Sequence, residues 1–206
     1  MTNRHRTLFS ILAFLPLAGI LLTTFACLPA PVGDPEQSKV DDTLTGGWRA
    51  TTGLPGNPAD NPPTAVVLLR PWDSHTYLLH YLTSETREGK EVQRQFYFKA
   101  WLTKIGDATF ITCQSMDDLK PIIGDDGAQP VWPVLRIEKT ANGMSVRMVS
   151  ADSDFLKNLT KREEIEAAIK AHVDDKSLYG DTLAFKKLTK DDQPFLENLL
   201  TRFNNK

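Results

Sequence analysis

Residues 91–104, EVQRQFYFKAWLTK, alternate so regularly that Phe96, Phe98, Ala100 and Leu102 fall on one face of an extended chain. Gln95, Tyr97, Lys99, Trp101 and Thr103 fall on the other. A strand of this kind needs partners for its backbone N–H and C=O groups and a cover for its apolar side. The partners are legible nearby. TLTGGWRA (43–50), TAVVLLR (64–70, bounded by Pro63 and Pro71), HTYLLHYLTS (75–84) and ATFITCQ (108–114) all read as strands. Two further alternating runs, 134–140 and 143–150, meet at Asn142-Gly143, the residue pair best suited to a two-residue hairpin turn. DTLAFKKL (181–188) supplies one more, so the chain predicts a mainly β fold: a curved or closed antiparallel sheet of about eight strands joined as a meander.

Helical spacing enters late in the chain. Thr160 and Glu163 have the spacing of a capping box, and Ile165, Ala168, Ile169, His172 and Val173 follow at helical intervals, which predicts a helix over 161–173 before the last strand. The tail DDQPFLENLLTRF predicts a C-terminal helix with Leu196, Leu199, Leu200 and Phe203 on one stripe and Pro194 in its first turn. Several strands are apolar on more than one face, and the two amphipathic helices can cover them. Tyr77, Tyr81, Tyr97 and Trp101 would crowd the outside of the sheet if the residues alternating with them fill the core.

The amino terminus has a different character. Arg4 and Arg6 precede an uncharged, mostly apolar run from Leu8 to Phe25, the pattern of an export signal. A permanent membrane helix, which needs about 20 apolar residues, would be the alternative. Leu22-Thr23-Thr24-Phe25-Ala26-Cys27 resembles a bacterial lipoprotein signal, with Ala26 and Cys27 as its matching residues. That resemblance implies cleavage before Cys27 and a diacylglycerol linked to its thiol. Ordinary signal-peptidase cleavage after Ala26, leaving Cys27 as a free terminal thiol, is the competing reading. The stretch that follows carries three prolines and four acids with no hydrophobic period, and is expected to be a tether. The organisation expected is therefore an export signal at 1–26, a lipidated terminus and proline-rich tether at 27–43, and one β-rich domain at 44–206. Its location would be the bacterial cell envelope, anchored to a membrane with the domain outside the cytoplasm.

Gly46-Gly47-Trp48 on the first strand resembles the Gly-X-Trp signature of lipocalins, and the following strands and closing helix agree with that family's order. The resemblance implies an eight-stranded barrel with a cavity for apolar small molecules and a tryptophan at its closed end. The family's Thr-Asp-Tyr motif has no counterpart, and the helix predicted at 161–173 stands where lipocalins have a turn.

Chemistry-bearing residues are sparse. The formal charge of −2 becomes about −4 once Arg4 and Arg6 leave with the signal, which argues against a nucleic-acid partner. Cys113 shares a strand face with Thr109 and Ile111 and reads as a buried small hydrophobe, its only conceivable disulfide partner being Cys27. His75 and His80 lie five apart, on opposite faces of one strand, so they cannot join on one metal. His172 falls on the apolar side of its helix. Asp73-Ser74-His75 holds triad residue types in adjacent positions, where they cannot converge as a triad. Asp125-Asp126-Gly127 and Asp152-Ser153-Asp154 read as turn and helix-start residues, not a calcium loop. No catalytic residue, metal site or cofactor is expected.

Three function classes are open. The first is a membrane-anchored envelope lipoprotein whose non-catalytic β domain serves partner interaction or envelope structure, with Tyr97 and Trp101 as the candidate interaction surface. The second is lipocalin-like binding of a small apolar ligand. A hydrolase ranks last.

Overall fold

The computed structural model describes residues 27–51, 64–87, 90–116, 122–123, 130–141 and 143–204. The expected export signal at 1–26, Asn142 and Asp125-Asp126-Gly127 lie outside them.

Eight strands form a closed antiparallel barrel. In chain order they are β2 (Gly46–Ala50), β3 (Thr64–Pro71), β4 (Thr76–Arg87), β5 (Lys90–Ile105), β6 (Ala108–Ser115), β8 (Pro130–Thr140), β9 (Gly143–Val149) and β10 (Tyr179–Lys187). Each pairs with the next, and β10 pairs with both β9 and β2 to close the ring. These are the eight runs expected from alternation and turn chemistry. Two short strands, β1 (Cys27–Leu28) and β7 (Ile122–Ile123), add to the start of β8 and were not foreseen. Two residues are too few to show a period.

The period of two sorts side chains into three packed groups. Inward-facing Trp48, Leu69, Tyr77, Leu79, Ala100, Ile111, Ile137, Val146 and Phe185 come from all eight strands and form one core inside the barrel. Two others lie outside it. Helix α2 (Gln193–Asn204) covers Val66, Leu68 and Leu82 with Leu199 and Phe203, so the unbroken apolar run of β3 is buried on both sides. Each such side chain, fully buried, contributes roughly 1.5–3 kcal/mol. Helix α1 (Arg162–Ala171) sets Ile165 and Ile169 against Phe110 and Val134 on the outer face of β6 and β8.

Two expectations are corrected here. Thr160 does not cap α1: the helix begins one residue later, behind Lys161, which makes no side-chain cap and pairs with Glu164 instead (3.1 Å). Helix-start signals locate a boundary only to within a residue or two. The segment 27–43 is not a free tether. Leu28 and Val32 are fully buried in the outer cluster, where Trp101 Nε1 and Thr112 Oγ1 donate to the Val32 carbonyl at 2.9 and 2.8 Å. Prolines and acids mark the turns of this strap, not disorder; Asp34 caps a short 3-10 turn begun by Pro35.

Arg136 links α1 to the barrel. From the outer face of β8 it donates to the Val173 carbonyl after α1 and to the Tyr179 hydroxyl (3.3 Å), while Tyr179 Oη donates to the same carbonyl (2.7 Å).

Candidate functional site

The barrel interior is closed at one end by the last part of the strap. Asp41 caps the single 3-10 turn at Asp42–Leu44. Leu44 enters the barrel at 1% exposure, and its carbonyl accepts from Trp48 Nε1 at 2.8 Å. The Tyr77 hydroxyl accepts from the Asp41 N–H and donates to the Asp41 carbonyl (3.1 Å). Lys139 Nζ reaches Asp41 Oδ2 at 2.5 Å and Thr43 Oγ1 at 2.6 Å, and Lys187 donates to the Thr43 carbonyl (3.1 Å) beside the Trp48 ring. Slight burial pushes the Asp41 carboxyl up, but the hydrogen bonds from Lys139 and Thr43 outweigh it and hold it below the usual value. Residues from four strands thus fasten this plug.

Beyond the plug the inward side chains are unevenly buried, with Ala65, Leu79 and Cys113 still buried. Leu69, Tyr77, Ala100, Ile137 and Phe185 are buried. Their inward neighbours one step further from the plug, on β3, β5, β8 and β10, are Val67, Phe98, Leu135 and Leu183, and these are only partly buried; so is Tyr81, two steps beyond Tyr77 on β4. In a filled barrel they would match Leu69 at 2% exposure. The lumen therefore keeps some accessible apolar and aromatic surface among its buried side chains.

Of the expected interaction residues, Trp101 does not stand on the surface. It is 2% exposed, lies beneath the strap and meets Trp132 edge-on at 6.0 Å. Tyr97 points outward, half-buried and stacked on His80 at 4.2 Å. Tyr77 and Tyr81, expected among the outward aromatics, face the lumen instead. Alternation fixes which residues share a face; on strands apolar on both sides it cannot say which face is inner.

The two cysteines flank one residue of β8. Cys27 is opposite Pro133 across β1, and Cys113 is in register with the same position from β6, since Thr112 opposes Val134. Because β8 lies between β1 and β6, the two Cα atoms are about 9.6 Å apart by strand spacing, beyond the span of a disulfide of up to about 7 Å. Both are free thiols. Burial pushes Cys27 up to about 11 and Cys113, with Cys27 adding to the effect, up to about 12, so neither is poised as a nucleophile at neutral pH.

The remaining candidates have local roles. Asp73 accepts from the N–H groups of His75 and Thr76, both at 2.7 Å, and thereby shapes the β3–β4 turn. His75 Nδ1 lies 2.8 Å from the Ser38 carbonyl, and His172 stacks on Phe155 at 3.8 Å. Asp154 pairs with Lys157. Among the described residues no group of three His, Cys, Asp or Glu could hold a metal ion, and no helix is long and apolar enough to cross a membrane.

His80 provides a pH handle. Burial, reinforced by the charge of Arg70 and opposed by a hydrogen bond with Gln95, lowers its pKa from the ordinary 6.5. The unfolded chain then binds more protons, so this contribution to stability is complete above pH 6.5 and is lost as pH falls through the folded value. Carboxylates with lowered values, Asp41 and Asp73 among them, act below their ordinary 3.8 and leave that window clear. His80→Phe, which keeps a ring against Tyr97, is expected to flatten the fall in Tm between pH 7 and 5; an unchanged slope would remove His80 as its source.

Compared with family models, curated proteins and solved structures, the chain matched none.

Proposed function

We propose that the domain is a binding module that holds a small apolar or amphipathic ligand in the unplugged part of its barrel, on an exported protein anchored to the bacterial envelope through a lipid on Cys27. The observation that carries the binding part is the partial burial of the inward-facing Val67, Tyr81, Phe98, Leu135 and Leu183, beside the buried Leu69, Tyr77 and Phe185. An eight-stranded barrel has room for its own side chains or for one small ligand, and partly buried inner side chains favour the second. The plug that seats Trp48 at one end agrees with the lipocalin-like expectation. The partner-binding reading loses its main support because Trp101 is covered by the strap. Anchoring rests on the Ala26-Cys27 pattern alone.

Native mass spectrometry of the exported Cys27→Ser protein, purified without detergent, tests the binding part. A mass increment that disappears on denaturation and extracts into organic solvent is expected. Leu183→Trp, which adds bulk to the lumen, should weaken uptake of a fluorescent fatty acid by about tenfold or more, the loss of roughly 1.4 kcal/mol. A bare protein that ignores the probe would overturn the reading. Anchoring has its own test: Cys27→Ser should move the protein from the membrane to the soluble fraction, and a variant that stays membrane-bound would reject the lipid anchor.

A further inference from the structure

Cys27 and Pro133 are directly opposed across β1 and β8, and opposed residues project to the same side of a sheet. Pro133 continues the lumen-facing series of Leu135 and Ile137, whereas Leu28 and Val134, one residue out of phase, pack in the outer cluster. The Cys27 side chain is thus directed at the lumen, on the side of Cys113, whose thiol feels its charge. Leu28 is completely buried, so no free spacer separates a group carried on Cys27 from the barrel wall. Anything linked to that sulfur starts beside an apolar interior in which Phe98, Leu135 and Leu183 are only partly buried.

We propose that an acyl chain linked to Cys27 occupies the protein's own barrel, so that the lumen and the bilayer compete for the anchor. This rests on the reading of the lumen as an apolar site and of Cys27 as acylated. The transfer is balanced in kind, because methylene groups leave water equally well for a protein interior and for a bilayer. Attachment beside the lumen makes the occupant intramolecular and gives it a high effective concentration. One chain is what an eight-stranded barrel can hold. Withdrawing it weakens membrane attachment and closes the lumen to free ligands; returning it to the bilayer reopens the lumen.

The test compares the acylated full-length protein with Cys27→Ser for binding of a fluorescent fatty acid in detergent-free buffer. Cys27→Ser should bind the probe, and the acylated protein should bind it at least about tenfold more weakly, as expected of an intramolecular competitor. In the acylated protein, Leu183→Trp, or Leu135→Phe should the first variant fold poorly, should increase the fraction bound to phosphatidylethanolamine–phosphatidylglycerol vesicles. Equal probe affinity of the two proteins would overturn self-occupancy and leave the ligand-binding reading standing. Failure of Cys27→Ser to bind any probe would instead overturn that reading, and an unmodified Cys27 by mass spectrometry would remove the occupant.

Discussion

Gly33→Ala is expected to destabilise the protein by about 2–4 kcal/mol and to lower Tm by several degrees or more. Gly33 has a φ of +73°, and a Cβ there would stand 1.7 Å from Thr103 Oγ1. The left-handed conformation alone costs an L-residue about 1–2 kcal/mol, and the overlap with β5 adds an overpacking cost of similar size. The neighbouring contacts leave little room to relax. The Gly33 N–H donates to Glu166 Oε1 on α1 at 2.7 Å, and Val32, just before it, receives the hydrogen bonds of Trp101 and Thr112. Displacing Gly33 therefore loosens α1 and uncovers Trp101 together. Chemical denaturation with tryptophan fluorescence reads both effects. A variant within about 0.5 kcal/mol of the parent, the range of an inconsequential surface change, would show that the strap is not held as described.

A second large effect separates the two kinds of apolar packing. Phe110 is fully buried beneath the strap and α1, and Phe110→Ala is expected to cost about 3–5 kcal/mol. Phe98 faces the lumen and is only partly buried, so Phe98→Ala should cost about 1.5 kcal/mol or less while altering ligand affinity. Urea unfolding of the two variants makes the comparison. Equal, large losses would mean that the lumen is packed as tightly as the outer cluster, and would count against the binding reading.

The barrel was legible in the sequence because most of its strands alternate regularly and the connections β3–β4, β4–β5, β5–β6 and β8–β9 are short. The run 91–104 and the Asn142-Gly143 turn announced neighbouring antiparallel strands, and a meander whose ends meet needs no other information. Helix α2 was legible for a similar reason: the stripe of Leu199 and Phe203 matches the outward Val66 and Leu68 that it covers. The strap was not legible. Its buried residues, Leu28, Val32, Ser38 and Leu44, are isolated among prolines and acids, and the strap is held by side chains and a backbone N–H donated from β5 and β6, more than sixty positions away. The candidate site was legible only in part. Trp48 and Cys113 could be placed on strands, but the lumen-facing sides of β4 and β5 became definite only when the strap claimed the Trp101 side for itself.

Ring closure by β10 has a consequence for how the protein is made. Seven strands are complete once Val149 is in place, yet β2 and β9 remain two unpaired edges until Tyr179–Lys187 has joined both. Through the intervening 29 residues, which include α1, a nascent chain is an open sheet with exposed edges, a form prone to pair with other chains. Synthesis delivers β10 last of the barrel strands, and chains ending before Tyr179 should accumulate as aggregates, not as shortened barrels.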